Sequence, residues 1–539
     1  MRRIRTIHLQ IALVVLMIVM TGLTFTEIVA RTVHSDPTRV NMYSNWFHGD
    51  YYQYLAGIVR GQHGLFWYRS FFTVPNPPTI PIYMLYQILG IITAPFSIWA
   101  PIVYHVSRLS FIVFSVWSLY VLSFTILKSK RWGIVSTILG ILITNPPAFL
   151  YNPVIAIEFR TWWSVLTAYD RMNAQPHYLL ARGLLCLSIA WYISYRSVKK
   201  RKYLLGSSIA AVLCVFNVPH TAVPFFAIVC VGVLWDSIHA YRHSTSIRTE
   251  LVPLLTLIAP LISLGIINRS MQIPLWITAS LWERDFDLRE TWTNYHYYIS
   301  HLYLLFPAYI GFVLFAKKKD IRGYLLLLWV LIPLLFSPFF YWLKVGGLRF
   351  DMFIYIIIPL SILSCVAIRS AMTSGFWKRI AVLYVALVLL LSSVSTVLYA
   401  KYLWTMVVIQ PLYTAIFPPK DYFELFDWIK NNISEDHVLL ASPEIGTLIV
   451  SQAPVFAYIG EQTRGSNVAL NTYFLERFYS ELMNTEEALA FLKARDVTFV
   501  VQDPKFIWPL RELSYPFLVK KWQNSQLGIY QVNYAYNGR

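Results

Sequence analysis

Asp50 heads the stretch His48-Gly49-Asp50-Tyr51-Tyr52-Gln53-Tyr54, about twenty residues beyond the first hydrophobic span, Leu9 to Val29. A carboxylate set among aromatic rings close to a membrane surface can take a proton from a hydroxyl or ligate a divalent metal. It can also simply cap a helix, where the dipole favours a negative charge, and a cap can be catalytic as well. A second group comprises Glu158-Phe159-Arg160 and the run Asp170-Arg171-Met172-Asn173-Ala174-Gln175-Pro176-His177, which ends where a hydrophobic span begins. Together these supply a carboxylate for a metal or an acceptor and cations for a phosphate. The plainer alternative is a pair of interfacial salt bridges, Glu158–Arg160 or Asp170–Arg171, worth little. A third group is His220, at the end of Asn217-Val218-Pro219-His220, and the stretch Lys344 to Asp351. There Gly346-Gly347 would let backbone approach a ligand, and Arg349 is either a phosphate partner or a snorkelling interfacial cation. His177 and His220 are more often satisfied interfacial histidines than bases or ligands. The charges of Glu283-Arg284-Asp285-Phe286-Asp287 mark a solvated turn.

The elements that must position these residues are membrane elements. The chain is 57% hydrophobic and 13% charged, with a mean hydropathy of +0.52, whereas ordinary soluble domains carry about 25% charged residues. The first span is too long for a signal-peptide core, and Met1-Arg2-Arg3-Ile4-Arg5 should hold the N-terminus in the cytoplasm. A net charge of +18 is mostly topological: Lys128 to Arg131, Arg196 to Lys202, Arg242 to Arg248, Lys317 to Arg322 and Arg369 to Arg379 punctuate the spans, as cytoplasmic flanks do. Nucleic acid is excluded as a partner on that ground. The four cysteines lie inside hydrophobic spans and read as packing residues.

Keeping each basic cluster inside predicts eleven crossings: 9–30, 104–127, 133–150, 179–196, 203–219, 221–237, 251–268, 297–316, 321–339, 350–368 and 378–400. The apolar segment Ile80 to Ala100 does not fit as one crossing, and Pro81, Pro95 and Pro101 favour a re-entrant, interfacial or hairpin form, so the total is about 11–13. Of thirteen acids between residues 1 and 400, ten fall on the outer side, a bias that suggests a functional outer face. The expected organisation is a transmembrane part, 1–417, with external loops 31–79, 151–178 and 269–296, followed by a soluble external α/β domain, 418–539. Within the first loop, Tyr51 to Arg60 is periodic, with Tyr51, Tyr54, Leu55 and Ile58 on one face, and predicts a helix lying along the bilayer surface. In the tail, Tyr422 to Lys430 predicts a helix, and Val438 to Ala441, Thr498 to Val501 and Gly528 to Val532 predict strands.

The arrangement resembles the GT-C superfamily of integral-membrane glycosyltransferases, and among them uncharacterised bacterial members. The matching features are the cytoplasmic N-terminus, the first-loop acid followed by a helix, and the apolar segment after Pro77-Pro78. Tyr104-His105-Val106-Ser107-Arg108 at the next span, the polar second loop and the C-terminal tail containing Tyr458-Ile459-Gly460-Glu461 complete the pattern. The resemblance implies transfer of a sugar from a polyprenyl-phosphate donor, with inversion, to a glycan, lipid or protein acceptor on the outer face of the cell membrane, among membrane lipids. It implies a catalytic or metal-positioning Asp50, assisted by Glu158 or Asp170. Arg108, Arg171 and Arg349 would hold the phosphate, with His177 and His220 as further substrate contacts. The chain departs from the superfamily in lacking a clear Asp-x-Asp in the first loop and the Trp-Trp-Asp of oligosaccharyltransferases. That leaves open a divalent metal (Mg or Mn, on Asp50 and Asp170) and transfer to asparagine. Two other classes fit the same residues: a lipid or polysaccharide transporter or flippase, and a non-catalytic envelope assembly protein.

Overall fold

The computed structural model describes residues 2–44, 48–69, 71–72, 79–81, 83–142, 172–244, 246–270, 272, 302–342, 355–409, 417–460, 468–502 and 513–536. Among these, five helices are long and apolar enough to cross a membrane, or six if a bent pair near the N-terminus is one span, and several shorter apolar helices accompany them. Each segment expected to cross is helical over most of its described residues. The chain is a polytopic helical membrane protein with a C-terminal sheet region.

The chain folds as two compact units. One contains residues 1–26, 108–269 and 280–404. Its helices are α1 (Arg2–Leu23), most of α5 (Ala100–Leu127), α6 (Lys130–Leu142), α7 (Pro176–Val198), α8 (Arg201–Asn217), α9 (Ala222–Arg242), α10 (Ile247–Leu251), α11 (Leu255–Ser270), α12 (Leu302–Lys317), α13 (Ile321–Trp342), α14 (Ile357–Ala371) and most of α15 (Gly375–Ile409). Apart from the short, polar α10, these helices are mainly apolar, as segments solvated by lipid and by one another must be. Tyr192, Phe225, Trp329 and Ile362 belong to a core that runs through them. Gly183 of α7 lies against α5 so closely that a Cβ there would come 2.5 Å from the Phe114 ring. The missing side chain lets the two helices approach.

The other unit contains residues 27–107, 270–279 and 405–539. It holds most of α2 (Thr26–Val33), all of α3 (His48–Gln62) and α4 (Met84–Thr93), the first two turns of α5, and the C-terminal α/β region. The sheet has the order β2-β1-β3-β5-β4, where β1 is Val438–Leu440, β2 Phe456–Ala457, β3 Val497–Gln502, β4 Leu518–Gln523 and β5 Gly528–Val532. Strands β2, β1 and β3 are parallel, and β3, β5 and β4 antiparallel. The parallel strands are short runs of Val, Leu and Phe, buried as such strands are. Edge strand β4 carries Lys520 and Lys521, which discourage further pairing. Helices α16 (Lys420–Asn432), α17 (Pro443–Val450), α18 (Val468–Tyr479) and α19 (Thr485–Ala494) flank the sheet.

Two expectations about the first loop are resolved here. Helix α3 forms where the periodicity predicts it, but it does not lie on a bilayer: residues 51–61 are all buried. Its Tyr51, Tyr54, Leu55 and Ile58 face packs into one core with Leu425, Phe426, Ile445 and Leu448 of the C-terminal region. The segment Ile80 to Ala100 contains α4 and a 3-10 turn, Ala94–Phe96. Together these are too short to cross a bilayer, which takes about twenty residues.

Candidate active site

Asp50 occupies the first turn of α3. The neighbouring backbone is fixed by Tyr51, whose hydroxyl donates to the Met42 carbonyl at 2.8 Å. Tyr51 also meets Tyr104 edge-on, with ring centroids 4.9 Å apart, and lies 5.9 Å from the ring of His105. His105 Nε2 contacts the Tyr43 carbonyl at 2.8 Å. The carboxylate thus projects from a helix end that aromatic packing holds in place on several sides.

One turn beyond the end of α1, the same unit buries an ion pair, Glu27–Arg31, at 4.0 Å with both side chains almost fully enclosed. Tyr52 of α3 lies within the electrostatic reach of Arg31 and of Glu444, and burial raises its hydroxyl above the usual tyrosine range. Further along α3, Arg60 donates to the Pro454 carbonyl at 3.0 Å and sits 4.8 Å from the Phe456 ring centroid. Burial lowers it to about 10, against the opposing pull of Glu435. It still carries its charge at neutral pH. Neither Arg31 nor Arg60 stood out in the sequence, although Glu27 and Arg31 have the four-residue spacing of a helical pair.

In the other unit, Arg108 is fully buried on α5. Its guanidinium donates to Asn173 Oδ1 and lies 4.6 Å from the Phe25 ring centroid. Seven residues along the same helix face, Ser115 accepts a 2.6 Å hydrogen bond from Nε of Arg182 on α7. Arg182 interrupts the run Leu179-Leu180-Ala181-Arg182-Gly183-Leu184-Leu185, a cation in an apolar stretch that is visible in the sequence. A cation held inside an apolar span is a functional candidate by default, because its desolvation is costly. His177, buried in the first turn of α7, lies 4.2 Å from the Tyr178 ring. His220 sits in the 3-10 turn Pro219–Thr221 between α8 and α9.

The structure therefore places Arg108 with Asn173, one of the residues of the polar second loop, and places Asp50 in the other unit. Glu158, Asp170, Arg171 and Arg349 lie outside the described residues. Among the described residues, no three of His, Cys, Asp and Glu come together in a way that would hold a metal ion. Chemically, the arrangement offers a carboxylate on a rigid helix end and two arginines embedded in apolar helices. The first suits proton abstraction and the second suits a phosphate.

No protein-family model and no curated protein sequence matches the chain. Solved structures do. The apo oligosaccharyltransferase of Archaeoglobus fulgidus is similar at 13% identity and a TM-score of 0.50, over 97% of this chain and 75% of its own. The same enzyme in complex with Zn and sulfate is similar at 14% identity and 0.50, over 94% and 73%. The arabinofuranosyltransferase AftD from Mycobacteria is similar at 13% identity and 0.53, over 97% of this chain but only 40% of its own.

Proposed function

We propose that this chain, which has the fold of the GT-C membrane glycosyltransferases, moves a sugar from a polyprenyl-phosphate carrier to an acceptor hydroxyl at the outer face of the membrane. The observation that carries this reading is Arg108: a fully buried guanidinium in an apolar helix, hydrogen-bonded to Asn173. A cation there suits a phosphate that is itself anchored in lipid. In the proposed reaction Asp50 takes the proton of the acceptor hydroxyl as its oxygen attacks the anomeric carbon. The bond from that carbon to the phosphate oxygen breaks on the opposite side, so configuration inverts. The departing phosphate keeps the electron pair, and Arg108 stabilises its charge. Glu158, Asp170, Arg171 and Arg349 are assigned supporting roles by sequence alone, the acids at the acceptor and the arginines at the phosphate. His177 and His220 are assigned to substrate contact. The topology that goes with this has a cytoplasmic N-terminus and an external C-terminal region.

An oligosaccharyltransferase of the same fold was solved with Zn and sulfate. Among the described residues of this chain no three of His, Cys, Asp and Glu come together to hold a metal ion, and no step is assigned to one. The transporter reading gains one observation, Arg182 within the apolar run of α7, though near the start of that helix and not at its middle. Protein reconstituted in liposomes and given labelled polyprenyl-phosphate sugars separates the two. The transferase reading expects label in an acceptor and free polyprenyl phosphate with at least one donor, reduced about 100-fold or more by Arg108→Met. Donor movement across liposomes with no bond broken would replace it.

A further inference from the structure

We propose that α4 and the turn after it lie immersed at the membrane–water interface and, being locked to α3 backbone against backbone, set the depth at which Asp50 stands. Helix α4 with its 3-10 turn runs from Met84 to Phe96, about 20 Å of helix against a hydrocarbon core of about 30 Å. Ile88, Ile92 and Phe96, spaced four apart on one face, are exposed by 38%, 60% and 71%, and Ile91 beside them by 37%. No Asp, Glu, Lys or Arg occurs anywhere from residue 70 to residue 107. Even Thr93 turns its hydroxyl back onto the carbonyls of Leu89 and Gly90. This surface therefore has nothing with which to recognise a polar partner.

The occupant follows from continuity along the chain. Only Ser97, Ile98 and Trp99 separate Phe96 from the membrane-spanning α5, whose first two turns expose Ile102 by 46% and Val106 by 56%. An apolar helix that leads directly into a lipid-facing span, with no charge between them, fits the boundary of headgroups and acyl chains rather than a protein groove.

The opposite face of α4 is joined to α3. A Cβ added to Gly61 would lie 2.1 Å from the Gln87 carbonyl oxygen, and one added to Gly90 would lie 2.1 Å from that of Ile58. No side-chain layer separates the helices, so they must move together. Tyr54 stacks on Tyr86 at 4.4 Å, and Gln62 Nε2 donates to the Ile98 carbonyl at 2.6 Å, tying both ends. Wherever lipid holds α4, the first turn of α3 is held at a fixed offset from it.

The immersion is independent of the proposed function; only the consequence for Asp50 rests on that reading. The test uses the full chain in nanodiscs with Cys230→Ser and Ile92→Cys, labelled with a polarity-sensitive fluorophore. A blue-shifted emission quenched by brominated acyl chains and spared by aqueous iodide is the expected result. Quenching by iodide alone would overturn the immersion, whatever the enzymatic outcome. For the depth claim, Phe96→Lys is compared on two donors, a long-chain polyprenyl-phosphate sugar and a soluble geranyl-phosphate sugar. Transfer from the long-chain donor should fall about tenfold, in keeping with the cost of lifting a charge-bearing helix from lipid, while transfer from the soluble donor is kept. Equal loss on both donors, or no loss on either, would overturn the depth claim and leave the quenching result standing.

Discussion

Arg108 and Arg182 show how much a single cation means inside an apolar helix. Arg108 donates to Asn173 and Arg182 to Ser115, each through a short side-chain contact. Arg108→Lys keeps the charge but loses the planar fork that suits a phosphate. Transfer should fall about tenfold or more for Arg108→Lys and further for Arg108→Met, with thermal unfolding of the Lys variant within a few degrees of the parent. A parental rate in Arg108→Lys would mean that the guanidinium geometry is irrelevant. The Glu27–Arg31 pair yields a stability prediction instead. Removing one partner of a buried pair is destabilising, so Glu27→Gln should lower the thermal midpoint, while the double variant Glu27→Gln/Arg31→Met recovers part of the loss. The sequence displayed the spacing of this pair, yet Glu27 read only as one outer acid among ten. Its partner was invisible because arginines near span ends are so common.

At the scale of elements, α3 is the instructive case. Its stripe of Tyr51, Tyr54, Leu55 and Ile58 was legible, and so was a helix with Asp50 in its first turn. What the stripe faces was not legible, since an amphipathic pattern is the same whether lipid or protein covers it. The other side held the clue: Tyr52, Ala56 and Val59 are apolar too, as a helix enclosed all round requires. Among the readings given to residues 80–100, an interfacial segment fits the short α4 with its 3-10 turn at Pro95. Gly90→Ala tests the junction of α3 and α4. Overpacking of this kind costs about 1–3 kcal/mol, and the variant should unfold at lower temperature than Gly265→Ala, since a Cβ on Gly265 of α11 meets nothing within 4 Å. Equal loss in the two variants would contradict the close approach.

Across the whole molecule, strands β1, β3 and β5 and helix α16 of the tail were legible because their periods are local, whereas β2, β4, α17, α18 and α19 were not read from the sequence. The partnership of residues 27–107 with residues 405–539 was not, because contacts some four hundred residues apart, such as Arg60 with Pro454, leave no local trace. Deleting the chain after Phe417 should therefore strip the cover from Tyr51, Tyr54 and Leu55 and leave aggregated or degraded protein, judged by size-exclusion chromatography. A monodisperse, folded product would contradict the shared core. The tail also titrates. Burial raises Tyr458 and Tyr515 to about 12 from an ordinary 10.0. Their neutral forms therefore favour the folded state fully below pH 10, and that contribution is lost as pH rises through about 12. Thermal midpoints should hold steady to about pH 10 and fall beyond it, with a shallower fall in Tyr515→Phe. The central claim, that Asp50 is the base of a sugar transfer, is tested most directly by single-turnover transfer from a labelled polyprenyl-phosphate sugar to its acceptor, comparing the parent with Asp50→Asn. The account predicts that Asp50→Asn expresses and unfolds like the parent but transfers at least about 100-fold more slowly; transfer at the parental rate would contradict it.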